Sequence, residues 1–440
     1  MPQIANSDHQ GDQREGSLSP DAIADLIERR LPPRIRTLFE RIAYVADEIG
    51  VNVYLVGGMP RDLLLGEPNL DVDIVVEGDG IGFAKELVAR EGGLVKPHKR
   101  FQTAIVTLPD RFKVDVATAR TEKYEGPAAL PVVEASGIEQ DLYRRDFTIN
   151  SLAIQLNRGS YGRLVDRFGG YRDLAAGVVR VLHDLSFVDD PMRIIRAVRF
   201  EGRYGFSMDE KTERLLREAL EQGLLDQASN ERIGKEIILI LKEADPLPAV
   251  LRLDQLGILC AIHPSLGVSR STERLFSSIA DVLYQFKLRI DSWVVYLLAL
   301  IYPLQPDERR QVAMRLRLPK RAGICVDRLE GMSERLDGDL TSAGQINPSR
   351  IYFLLKDVPL ELLLFLAACS IGILRDRISL YIQKLRDVRT RITGRDLERL
   401  GLLPGPELGR ILNRVLAARL DGQVGSKQEE LELAKRLMSR

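Results

Sequence analysis

The sequence predicts an α+β fold, with a small sheet-bearing head over residues 34–182 followed by a long all-helical arm. Two observations lead there. Short β-branched runs separated by Gly, Asn and Asp fill the first part: VNVYLVGG from Val51, DVDIVV from Asp71, TAIVTL from Thr103, KVDVATA from Lys113, SLAIQL from Ser151 and VVRVL from Val178. Beyond His183 such runs vanish and amphipathic helical periods continue to the end. Helical stretches alternate with the runs, which leaves an α/β arrangement of the head open.

The elements follow in order. Residues 1–17 are polar and predict a disordered extension. Ser19-Pro20-Asp21 offers an N-cap, a first-turn proline and a first-turn acid, and a helical period runs from there to about Ile49. The reading thus gives a partly disordered extension and helix over 1–33, the head over 34–182, a helical neck over 183–245, a helical body over 246–350 and a helical tail over 351–440. Proline-bearing breaks at 244–250, 301–308 and 346–350 mark the joints of the arm. The apolar runs around Trp293 and Leu362 read as helical core.

Composition bounds the function. The 440 residues carry 63 basic and 63 acidic side chains, so a nucleic-acid site must come from local clustering rather than overall charge. Cys260, Cys325 and Cys369, and His9, His98, His183 and His263, show no zinc spacing. The apolar runs fall short of the roughly 18 residues of a membrane span, and the first residues lack the apolar segment of a signal peptide. A cytoplasmic protein without a membrane association or a protein partner is expected.

Three clusters carry chemistry. In YLVGGMPRDLLLGEPNLDVDIVV, a strand enters Gly57-Gly58 and a helix opens near Pro60 with Arg61 in its first turn, an arrangement that aims backbone N–H groups and a guanidinium at phosphate, or simply reverses the chain. Asp71 and Asp73 stand two apart, on one face of the next strand. Such a pair either edges a solvated strand or holds divalent metal, Mg²⁺ by preference, and Asp115 in a similar strand would complete it. In LYRRDFTIN, Arg145, Asp146 and Asn150 form either a surface ion-pair group or a binder of phosphate and ribose. In DDPMRIIRAVRF, Asp190-Pro191 opens a helix on which Arg193, Arg196, Arg199 and Arg203 recur beside an apolar face. That stripe is either solvated or reads the pairing edge of a base.

In this order and spacing the three clusters resemble the bacterial tRNA CCA-adding enzymes and poly(A) polymerases of the second nucleotidyltransferase class. The resemblance implies a small mixed-sheet nucleotidyltransferase head and an elongated all-α arm. It implies template-free nucleotidyl transfer to the 3′ end of tRNA, with Asp71 and Asp73 as metal ligands, Asp115 beside them, Gly57, Gly58 and Arg61 on the triphosphate, and Arg145, Asp146 and Asn150 on phosphate and ribose. Asp190 and Arg193, with Arg196 and Arg199, would select the base. The chain departs from the family at Pro60, where a small apolar residue is usual, and at Asp189, where Glu is usual; a first-turn proline leaves the loop intact.

The wording DIVVEGDGIGFA, FKVDVATARTEKYE and DLYRRDFTIN is most similar to the catalytic portion of the longer enzymes that add only the terminal A, although 440 residues leave no room for their preceding accessory domains. ATP is therefore the expected nucleotide, with CTP the alternative. Full CCA addition, poly(A) synthesis and a non-catalytic RNA-binding module are the rival readings. Between Lys384 and Arg419 nine basic residues face four acids. Arg395, Arg399, Arg410 and Arg414 are accordingly expected to bind RNA, against the alternative of an ordinary exposed helix pair.

Overall fold

The computed structural model describes residues 18–123, 132–288, 290–331, 340–342 and 344–439. The expected extension over 1–17 lies outside them.

Seven strands form one mixed sheet in the order β3-β4-β5-β2-β1-β8-β9. They are β1 (Asn52–Val56), β2 (Val72–Glu77), β3 (Leu94–His98), β4 (Thr103–Thr107), β5 (Lys113–Thr118), β8 (Ala153–Gln155) and β9 (Leu164–Val165); β6 (Arg120–Lys123) and β7 (Val132–Ala135) form a separate hairpin. The β2–β5 pair is parallel, in register Asp73↔Asp115, and every other pair in the sheet is antiparallel. β1 and β2 lie at the centre with both faces largely covered, which is why they read as nearly continuous apolar runs. Below them Tyr54, Val56 and Val75 pack with Ile138 and Leu142 into one core cluster.

Several expectations need correction. The helical period from Ser19 is two helices, Pro20–Arg30 and Pro33–Ile49, because Pro32 and Pro33 interrupt the hydrogen-bond ladder. β3 escaped the pattern reading because it is a mostly exposed edge strand containing Pro97. VVRVL joins no main-sheet strand: β10 (Val178–Val179) pairs in parallel with β11 (Ser207–Met208), so strand structure does not end at His183. Asp71 precedes β2 rather than lying within it.

The chain divides into two compact units after Glu236, within the helix Asn230–Leu241. Among its described residues the second unit contains helices and their connections and no strands. Its helices Ser292–Ile301 and Leu360–Cys369 are largely buried, as their predominantly apolar sequences predict. No helix among the described residues is long and apolar enough to cross a membrane.

Candidate active site

The site begins where β1 ends. Gly57 takes φ +77°, a left-handed conformation that favours glycine, and opens the helix Gly58–Leu65. The register Val56↔Asp73 sets this turn beside Asp73, so close that a methyl group on Gly57 would stand 2.7 Å from Asp73 Oδ2. Burial pushes the Asp73 carboxyl up to about 6; Asp115 and Asp71 add to the rise, and Arg145 opposes it. Asp71 is exposed and lines the same cleft of about 690 Å³, whereas Asp115, one strand over, is exposed outside that lining.

This is the setting in which a divalent cation fits. Like charges crowd a half-buried carboxylate, and a glycine keeps its oxygen accessible. Among the described residues no three acids, histidines or cysteines converge as a ready-made metal cage. A pair of carboxylates with substrate phosphates completing the shell is how Mg²⁺ is usually held.

The floor of the cleft is a set of buried and half-buried hydrogen bonds that runs through all three sequence clusters. Asp62 accepts from Arg61 Nε (2.8 Å) and Nη2 (2.9 Å), from Asn69 Nδ2 (2.7 Å) and from Tyr204 Oη (2.8 Å). Arg61 Nη1 donates to Asn150 Oδ1 at 2.5 Å, and Asn150 Nδ2 donates to Asp146 Oδ1 at 2.9 Å. Asp146 Oδ2 accepts from Arg196 Nε (2.9 Å) and Nη2 (2.5 Å), and Glu236 accepts from Arg199 Nε at 3.0 Å. The Arg61 guanidinium also lies over the rings of Phe200 and Tyr204.

Arg61, Asp146 and Asn150, read from sequence as phosphate and ribose contacts, are thus buried and already bound to one another. Burial raises the Asp146 carboxyl, but Arg196, Asn150 and Arg193 outweigh it and hold it at about 2. These groups shape the cleft from beneath. Arg145 donates to buried Asp141 (2.9 Å) while its Nε has no partner among the described residues.

The helix Met192–Tyr204 presents Arg196, Arg199 and Arg203 along the cleft. Asp190 caps it through Met192 N (3.1 Å), as its sequence context predicts, and both its oxygens accept from Arg232 at 2.8 Å. Arg193 is not on a solvated stripe. It is buried, donating to Ser186 Oγ (2.6 Å) and the Arg144 carbonyl (2.7 Å).

Sequence reasoning missed Asp62, Asn69, Glu122, Arg144 and Phe200, all of which line the cleft. The Arg-Asp dipeptide was the only signal available for Asp62.

In the second unit Arg395, Arg399, Arg410 and Arg414 are all exposed. The last two sit one turn apart on the helix Pro406–Leu420. Arg419, counted in the same basic excess, instead pairs with fully buried Glu430 at 2.5 Å. Glu430 Oε2 also accepts from the backbone N–H groups of Arg391 and Ile392.

Residues 53–180 match the family model of the poly A polymerase head domain, and residues 205–268 match that of the probable RNA and SrmB-binding site of polymerase A. The chain is 42% identical to an A-adding tRNA nucleotidyltransferase of Geobacter sulfurreducens over 94% of its own length and 48% of that protein's. It is 32% identical to an A-adding tRNA nucleotidyltransferase of Halalkalibacterium halodurans over 96% of its own length and 97% of that protein's. It therefore spans about half of the first relative and nearly all of the second. Among solved structures, a CCA-adding enzyme in an apo form shares 37% identity with a TM-score of 0.73, covering 95% of this chain and 99% of that one. The Thermotoga maritima CCA-adding enzyme complexed with tRNA shares 33% identity with a TM-score of 0.70, covering 94% and 98%.

Proposed function

The chain belongs to the tRNA nucleotidyltransferase and poly(A) polymerase family, and from that premise we propose that it adds the terminal A to the 3′ end of tRNA, using ATP in the cytoplasm. Nucleotidyl transfer is carried by the cleft itself, in which Asp71 and Asp73 share the lining with arginines from the RRDFTIN segment and from the helix Met192–Tyr204, and the terminal A is supported by the likeness to A-adding relatives.

In the reaction the RNA 3′-oxygen attacks the α-phosphorus of ATP, the α–β phosphoanhydride bond breaks, and pyrophosphate leaves. Asp71 and Asp73 would hold the divalent metal, Mg²⁺ in this reading, which when bound favours the alkoxide and neutralises charge on the departing phosphates. Gly57 and Gly58 offer the opening of a helix to the triphosphate, and Arg145, Arg196, Arg199 and Arg203 supply the positive field around it. Arg61, Asp146 and Asn150 fix the cleft's shape. Asp190 and Arg193 also line the cleft, and as an acceptor and a donor they would together select the base. In this scheme residues 183–245 serve as the base-selecting neck, and the exposed arginines of the 351–440 tail hold tRNA.

The likeness to CCA-adding enzymes, one solved in complex with CTP, favours a second reading in which C is added as well. One assay separates the two: purified protein with tRNA ending before C, after C or after CC, and each nucleoside triphosphate supplied alone. Incorporation from ATP onto the CC end alone is expected. Asp73→Ala should reduce transfer by at least about a thousandfold, in line with the several kcal/mol that metal-ion stabilisation supplies, while circular dichroism stays unchanged. Turnover near wild type in that variant would remove the assigned metal site.

A further inference from the structure

Beside the arginine-rich cleft lies a second cavity, of about 520 Å³, that shares Glu122, Arg144 and Arg193 with it. These three side chains form the partition: Arg144 Nη1 donates to Glu122 Oε1 at 2.7 Å, and Arg193 Nη2 donates to the Arg144 carbonyl at 2.7 Å. The far wall is aromatic. The Tyr143 ring lies 5.6 Å from Phe168 and 5.2 Å from His183, centroid to centroid, with tilts of 41° and 37°.

The chemistry of the two cavities differs. The first is lined by seven arginines and suits a polyanion. In the second, both arginines are engaged in the partition, and Glu122, Glu139 and Asp189 offset their charge. Its field offers nothing to a triphosphate. Tyr143 is 48% exposed and Leu185 61% exposed, so a large aromatic face and an apolar side chain meet solvent within reach of the partition. A flat, uncharged group with π faces satisfies such a wall, and an unstacked nucleobase is one.

We propose that this second cavity holds the last base of the RNA acceptor, stacked on Tyr143, so that its ribose is presented across the partition to the Asp71 and Asp73 side. The assignment rests on the nucleotidyl-transfer reading above. It commits to the acceptor rather than the incoming nucleotide, because the latter's phosphates belong in the arginine-lined cleft.

Two RNAs ending in CC test it, one intact and one lacking only its last base while keeping the ribose and 3′-hydroxyl. Steady-state incorporation from labelled ATP is measured for wild type, Tyr143→Leu and Tyr143→Phe. Tyr143→Leu should raise KM for the intact RNA about tenfold, the loss of one base–aromatic stack, and leave KM for ATP unchanged; Tyr143→Phe should restore wild-type KM. Removing the base should cost wild type a similar factor and cost Tyr143→Leu nothing further. Independent, multiplicative losses, a rise in KM for ATP, or an unchanged KM for RNA would each overturn the proposal. Equilibrium binding of the same RNAs without ATP reads the stack separately from turnover. A protein that binds the intact RNA better through Tyr143 yet transfers nothing would sink the catalytic reading and keep the pocket, whereas transfer without that preference would do the reverse. Should Tyr143→Leu fail to fold, Tyr143→His keeps a ring there, and equal affinity of wild type for the two RNAs remains sufficient to refute the stack.

Discussion

Asp146 shows how far a single residue's role depends on what neutralises it. Its oxygens accept from Phe147 N, Asn150 and Arg196, and it is nearly inaccessible to water. With a folded pKa of about 2 against an ordinary value of 3.8, its carboxylate contributes stability that is full above pH 3.8 and is lost as pH falls through 2. The shift corresponds to about 2 kcal/mol. Urea titrations between pH 5 and 2 should show that loss in wild type and a smaller one in Asp146→Asn, which should itself be destabilised by about 3–5 kcal/mol because Arg196 is left facing an amide. Equal acid sensitivity of the two proteins would contradict this account. The spacing of Asp71 and Asp73 and the Gly57-Gly58 turn were legible because strand alternation and a tight turn are local properties. Whether Arg61 and Asp146 touch substrate or each other was not, since the partners that decide it, such as Tyr204 for Asp62, lie up to 142 residues away.

Elements were legible where burial imposes a period, and illegible where pairing alone defines them. β1, β2, β4, β5 and β8 announced themselves through apolar runs, and β10 lies in the VVRVL run though it pairs outside the main sheet; β3, with Pro97 on an edge, and the two-residue β9 and β11 left no such pattern. The helix Pro20–Arg30 was visible from its cap, but its purpose was not. Arg30 Nη1 donates to the carbonyls of Leu63 (2.6 Å) and Leu64 (3.4 Å), in the last turn of the helix Gly58–Leu65 whose first turn forms the glycine loop. A cation at that end satisfies stranded carbonyls and complements the helix dipole, worth about 1 kcal/mol. Arg30→Ala should therefore raise KM for ATP by about threefold to tenfold with little change in secondary structure, and Arg30→Lys should recover part of the loss. An unchanged KM for ATP would show that the loop holds its place without this brace.

On the scale of the whole molecule, a chain of zero net charge can hold a polyanion only where its cations cluster. Arg410 and Arg414 are exposed on one helix face, while Arg419 and Lys427 are tied to Glu430 and Asp396. Reversing Arg410 and Arg414 to Glu should weaken tRNA binding at least about tenfold, and lower the slope of log affinity against log salt by about 2, one for each lost phosphate contact. KM for ATP should not move. Deleting the tail would be a poorer test than these two substitutions, since Ser349 donates to Asp421 through both its N–H and its hydroxyl, so a truncation also uncovers the helix Pro348–Leu355. The hydrogen-bonded floor of the cleft carries a different consequence, one of timing. Its links join residues near positions 61, 150, 196 and 236, so no stretch of the growing polypeptide contains a finished floor until Glu236 has left the ribosomal exit tunnel. A nascent chain arrested shortly before that point would have its sheet strands synthesised but Arg199 without its carboxylate. The last hydrogen bond of the floor therefore forms only when every segment that contributes to it has been made.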